Sequence, residues 1–178
     1  MNTESPEKNY LESCKKEFFK LKQLCDKSFV QIKDEDFFWS PDEESNSIAV
    51  IIKHVSGNMI SRWTDFLNSD GEKEYRNRDE EFENVFYTDK DDIITRWERG
   101  WKCLFDTLDS LNESDLTKTV YIRKEKHTVI EAVNRQLAHY GYHAGQIVYI
   151  AKHLGSRNWK SLSIPRGKSG EFNDSLMK

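Results

Sequence analysis

Apolar residues recur at three-and-four spacing along four stretches of the chain, each the mark of a helix with one buried face. In the first, Leu11, Cys14, Phe18, Leu21, Cys25 and Phe29 follow Ser5-Pro6-Glu7. A serine cap, a proline at the first helical position and an acid in the first turn predict a helix that starts there and runs to about Val30. The second covers residues 47–67, capped by Asn46 or Ser47, with Ile48, Ile52, Val55, Met59 and Phe66 as its stripe and Asn68-Ser69-Asp70-Gly71 as its breaker. The third opens at Thr88 with Asp91 and Asp92 and carries Ile94, Trp97, Trp101, Leu104, Leu108 and Leu111. The fourth opens on the capping box Thr128-Val129-Ile130-Glu131 and continues to Gly155, the expected C-cap. The pattern predicts an all-α, up-and-down four-helix bundle with one long crossover, as a single domain over residues 1–178.

Between these helices the pattern lapses. Residues 33–45 are acidic, with Phe37, Phe38 and Trp39 expected to anchor a loop on the core. Residues 72–87 are dense in charge and predict a long surface loop. Such a run is most often simply solvated, and a substrate role for Arg76 or Arg78 is the less favoured alternative. Residues 117–127 suit a short hairpin or extended connection through Val120, Tyr121 and Ile122. The tail from Trp159 to Gly170 lacks helical periodicity and should be irregular, with Trp159, Leu162 and Ile164 packing somewhere.

With 178 residues the chain is long enough for a sizeable core, and a net charge of -4 suits a mildly acidic globular protein. Its lysines and arginines alternate with acids rather than forming a basic stripe, which argues against nucleic acid. No run reaches the length of a membrane span, and the polar start has no signal-peptide core, so the cytoplasm is the expected compartment. Cys14, Cys25 and Cys103 have no C-x-x-C spacing and read as reduced structural thiols, two of them on the first helix's apolar stripe.

The chemistry centres on His139 and His143. One turn apart on the fourth helix, they fall within roughly 40° of each other, on the face that also carries Ala132, Gln136, Ile147 and Ile150. Two hydrogen-bonded core histidines would satisfy this spacing, and a metal site needs at least one more ligand. His54, at the edge of the second helix's apolar face, is the candidate. Three neutral imidazoles from two helices would hold a divalent metal and leave an open position. Asn58, Gln136 and Gln146 are candidates to orient the imidazoles, though ordinary helix–helix hydrogen bonding explains them as well. His153 lies about 15 Å along the axis from His143, too far to join, and reads as a cation at the helix C-terminus. On the other side, Ala138, Gly141 and Gly145 would let a helix approach closely, either from within the chain or, the favoured reading, from a second copy.

His54 and the pair His139-x-x-x-His143, in this helix order, resemble the DinB-like superfamily of four-helix metal-binding proteins. More closely, Asn46-Ser47-Ile48-Ala49, His54-Val55-Ser56-Gly57-Asn58, Asp70-Gly71-Glu72, Arg76-Asn77-Arg78-Asp79, His139-Tyr140-x-x-His143-x-Gly145-Gln146 and Leu162-Ser163-Ile164-Pro165-Arg166-Gly167 are similar to a branch catalogued only as a domain of unknown function. The similarity covers residues 46–173; the first helix matches in pattern alone. The resemblance implies that His54, His139 and His143 bind a divalent metal, that the protein forms a homodimer through its helices, and that it is cytoplasmic. It also suggests an activity, since superfamily members include S-transferases and an isomerase that use low-molecular-weight thiols such as bacillithiol.

The expectation is therefore a three-histidine zinc or nickel site whose open position accepts a thiol, which a metal deprotonates and so makes nucleophilic toward small electrophiles. Such an enzyme would show a cavity beside the histidines, with positive groups such as Arg62 or Arg135 to receive an acidic cofactor. Two rivals remain. A metal-dependent hydrolase would need a general base, and Asp65 lies three turns from His54. A metal-binding or stress-response protein without turnover would show a closed site with a fourth protein ligand.

Overall fold

Ser5 caps the first helix as its sequence requires, its Oγ accepting the Lys8 amide at 3.0 Å. The computed structural model describes residues 5–83 and 89–176. Its elements run α1 (Pro6–Phe29), α2 (Ile48–Trp63), α3 (Lys90–Ser110), β1 (Thr119–Ile122), β2 (Glu125–Thr128), α4 (Val129–Gly155) and α5 (Ser169–Leu176). The chain is thus mostly helical with one small antiparallel hairpin, β1 pairing β2. Among the described residues, no helix is long and apolar enough to cross a membrane.

The second helix is the innermost element: thirteen of its sixteen residues are buried, His54 and Asn58 included. It packs chiefly on α3, while α1 packs chiefly on α4 and contacts between α2 and α4 join the pairs. Gly100 permits the α2–α3 approach, because a Cβ there would sit 3.0 Å from the Ser56 Cα. Phe18, Trp63, Trp97, Trp101 and Tyr140 fill the centre, all within 2% of full burial. Each such side chain contributes about 1.5–3 kcal/mol by leaving water. Cys14 and Cys25 are buried free thiols on α1, as the stripe implied.

Several boundaries differ from the sequence reading. The second helix stops at Trp63, because Thr64 is extended and Asp65 takes a positive φ of 50°, its carbonyl accepting the amides of Asn68 and Ser69. Asp89 caps α3, accepting the Asp92 amide at 3.0 Å, and Thr88 lies outside the described residues. The fourth helix has the expected Thr128–Glu131 capping box, but Gly155 is its last residue and Ser156 carries the positive φ. Gly155 instead makes room for Trp159, whose ring a Cβ would approach to 3.1 Å. In the tail, Trp159 is half-buried on the core, yet Ile164 is exposed and α5 is a helix. No residue of α5 is buried, so there was no apolar stripe to reveal it. Of the three loop aromatics only Phe37 is fully buried; Trp39 stacks on His153 at 5.4 Å between ring centres.

The hairpin is tied to the segment after α2. Arg123 and Lys124 both have positive φ at its turn, and the Asp70 carboxylate accepts their amides at 2.9 and 2.7 Å. The Gly71 amide adds a bond to the Tyr121 carbonyl. Residues 70–72 are thereby held beside the ends of α2 and β1, and the charged chain that follows leaves from a fixed point.

Candidate metal centre

His54 projects from the middle of α2 and His139 and His143 from one face of α4, where the two helices touch. Their ligand atoms all lie within 4.8 Å of one another, close enough to hold a metal ion. The Nε2 atom of His139 is 3.3 Å from that of His54 and 3.1 Å from that of His143. Two nitrogens bound about 2.05 Å from a tetrahedral ion stand about 3.3 Å apart, so the spacing suits shared coordination. The rings radiate rather than stack, with interplanar angles of 81°, 65° and 75° among the three pairs.

The other ring nitrogens decide which atoms are free to ligate. His143 Nδ1 lies 2.8 Å from Gln146 Oε1, and the Gln146 amide nitrogen donates to the Tyr142 hydroxyl at 3.2 Å. His54 Nδ1 lies 2.9 Å from Glu81 Oε2. Burial opposes a charge on Glu81, but bonds from Arg76 and His54 outweigh it and hold the carboxyl below its ordinary range. An ionised carboxylate only accepts, so the proton of this contact sits on His54 Nδ1, and the neutral tautomer it selects carries the lone pair on Nε2. With the Gln146 oxygen facing Nδ1, the neutral His143 ring carries its proton there and its lone pair on Nε2. Burial, then the neighbouring imidazoles and arginines, depress His139 to about 3; burial depresses His143 to about 4. Both are therefore neutral at physiological pH, the state a metal requires.

Glu81 was not visible in the sequence as a participant. It lies in a 3-10 turn (Asp79–Glu81) within the segment expected to be solvated, of which residues 84–87 lie outside the described residues. The described part folds back over α2, burying Glu81 to 6% exposure and leaving the Arg76 side chain only 4% exposed. Arg76 grips Glu81 with two bonds, Nε to Oε1 at 2.7 Å and Nη2 to Oε2 at 2.8 Å. Phe82 then covers the His54 ring at 4.7 Å. Gly57 makes the approach possible, since a Cβ there would collide with the Glu81 carboxylate. The acids spaced around Arg76 were the available signal, but nothing in them distinguishes a buried pair from a surface one.

Of the three amides expected to orient the histidines, one reaches them. Gln146 does so. Asn58 Oδ1 instead accepts from the Tyr140 hydroxyl at 3.0 Å, which in turn accepts from Trp63 Nε1, a polar chain linking α2 to α4 below the site. Gln136 is buried beside the histidines with its Oε1 unpartnered. Arg62 and Arg135 both line a cavity of about 230 Å³ that opens against His54 and His139. Arg62 is buried and bonded to the Gly71 carbonyl and Glu72, whereas Arg135 is exposed. Asp65 is exposed and accepts from Asn68, away from the histidines.

The sequence matches, over residues 5–168, the family described as "Protein of unknown function (DUF1572)", and the chain belongs to that family. The match extends through α1, beyond the span over which the sequence motifs had suggested kinship. No curated protein and no solved structure gives a significant match.

Proposed function

We propose that this protein binds a divalent metal, zinc or nickel, through His54, His139 and His143, and that it is a thiol-dependent S-transferase acting on small electrophiles. The observation that carries the metal reading is the convergence of three Nε2 atoms, with the Nδ1 atoms of His54 and His143 already engaged by Glu81 and Gln146. Such outer bonds orient metal-bound histidines and raise their basicity. A divalent ion held there would lower the pKa of a ligating thiol, so that the thiol is nucleophilic at neutral pH.

The chain's own residues prepare the rest of the site. Glu81 and Gln146 hold the ring orientations, Phe82 shields one side of His54, and the cavity against His54 and His139 leaves room for an incoming molecule. That cavity supports turnover over a closed storage site, and the histidine group includes no fourth histidine, cysteine or carboxylate among the described residues. A hydrolase is less well served: both oxygens of Glu81 are engaged by Arg76 and His54, so it is a poor general base. The histidine placement on the second and fourth helices supports a DinB-like four-helix bundle. The homodimer reading draws on Gly141 and Gly145, where a Cβ would meet nothing within 4 Å and which line a depression of about 330 Å³ with Leu21, Trp159 and Leu162.

The experiment is to purify the protein without a histidine tag, measure metal per chain, and screen the loaded protein for loss of free thiol with electrophilic substrates. Near-stoichiometric metal with thiol consumption supports the proposal. Metal without thiol consumption would leave only the binding function.

A further inference from the structure

Basic residues alternate with acids along the sequence, but the fold gathers five arginines around the cavity beside His54 and His139. They arrive from four places: Arg62 from α2, Arg76 and Arg78 from the segment after it, Arg123 from the hairpin turn, and Arg135 from α4. Two carboxylates bond to this group. Glu72 accepts from Arg62 at 2.9 Å, Arg123 at 3.0 Å and Arg76 at 3.4 Å, and Glu81 is occupied by Arg76 and His54. Asp70, close by, is spent on the backbone amides of Glu72, Arg123 and Lys124. Arg78 and Arg135 have no carboxylate partner among the described residues; Arg78 lies over the Phe82 ring at 5.4 Å.

Positive charge is therefore in excess in a concave site, where the surrounding protein focuses its field. One buried donor of the lining is also without a partner: Arg62 Nε, in a residue 4% exposed. Such a donor is costly to leave unpaired unless a ligand or water oxygen completes it. The volume of about 230 Å³ suits one anionic group rather than a whole cofactor. Arg76, Arg78 and Arg123 also line a wider surface depression of about 760 Å³, giving a larger molecule somewhere to extend.

We propose that this arginine-lined cavity is a subsite for the carboxylate or phosphate group of a small-molecule ligand whose other end lies against His54 and His139. It rests on the metal-site reading for the direction of that other end, and not for the anion. Guanidinium forks match both groups through paired charge-assisted hydrogen bonds. Arg78 and Arg135, uncommitted to carboxylates and placed at the rim, are the residues that would close on the anion.

The test is calorimetric titration of inorganic phosphate and, separately, succinate into chelator-treated protein at fixed ionic strength. The same titrations follow on Arg78→Gln, Arg135→Gln and the distant surface variant Lys102→Gln. The expected result is saturable binding of at least one dianion, weakened about tenfold by either rim substitution and unchanged by Lys102→Gln. Preference for phosphate or for succinate identifies the group. Absence of binding by both, or binding that the rim substitutions leave unchanged, would overturn the proposal. Zinc uptake is measured on the same samples: a protein that takes up zinc but no dianion loses the subsite alone. One that binds the dianion through Arg78 and Arg135 but no zinc loses the metal reading alone.

Discussion

His143 and His54 present the same atom to the same point, yet they are held by regions of opposite character. The partner of His143 is Gln146, three residues on along α4, and the helix itself supplies the geometry. The partner of His54 is Glu81, twenty-seven residues away in a charged segment, and it needs Arg76 to hold its charge and Gly57 to make room. One arm is local and inexpensive to build. The other exists only because a polar stretch folds back and is buried, so it links the stability of that stretch to the chemistry of the site.

Removing a shared ligand should override the difference between the arms. His139→Ala takes away the nitrogen that stands between the other two, and metal affinity is expected to fall by more than about 100-fold, beyond the range for outer-shell changes. Equilibrium dialysis against a competing chelator reads this directly.

The arms should then separate. Glu81→Gln keeps the shape but removes the charge, and metal affinity is expected to fall about 10–100-fold. The same change leaves the buried Arg76 without its close carboxylate, with one neutral amide oxygen and the longer Glu72 contact in its place, so stability should drop by about 3 kcal/mol in denaturant titration. Gly57→Ala should reproduce the affinity loss by displacing the carboxylate while leaving its charge intact. Gln146→Ala, on the local arm, is expected to cost about tenfold in affinity and to leave stability within about 0.5 kcal/mol. Equal stability losses in Glu81→Gln and Gln146→Ala would break the comparison.

Stability should also depend on pH. In the unfolded chain His139 and His143 protonate near 6.5, whereas in the metal-free fold they remain neutral down to about 3 and about 4. The unfolded state then binds more protons, so stability falls as pH drops below 6.5 and this contribution levels off once the folded imidazoles protonate. Chelator-treated His143→Gln should show a shallower decline than wild type between pH 6.5 and 4.5, above the range in which carboxylates dominate. Urea midpoints measured across that window give the answer.

This contrast also marks how far the sequence could be read. The helical stripes, the caps at Ser5 and Thr128, the hairpin, the pair His139 and His143, and Gln146 all follow from spacings of a few residues, where periodicity and capping chemistry are strong; His54, eighty-five residues before His139, is joined to the pair by its residue type and by the family resemblance. The end of α2 depended on Asp65 adopting a positive φ, and α5 has no buried face, so neither left a pattern. Glu81 and the five arginines depend on contacts between segments far apart in the chain. Charges that alternate in sequence conceal a cavity with an excess of one sign, and the composition pointed away from any such concentration.

The measurement that tests the central claim most directly is the X-ray absorption spectrum of the zinc-loaded, tag-free protein. The account predicts imidazole multiple scattering from three histidines with zinc–nitrogen distances of about 2.0–2.1 Å, reduced by one histidine in His54→Ala. A shell of oxygen alone, or a spectrum that His54→Ala leaves unchanged, would contradict it.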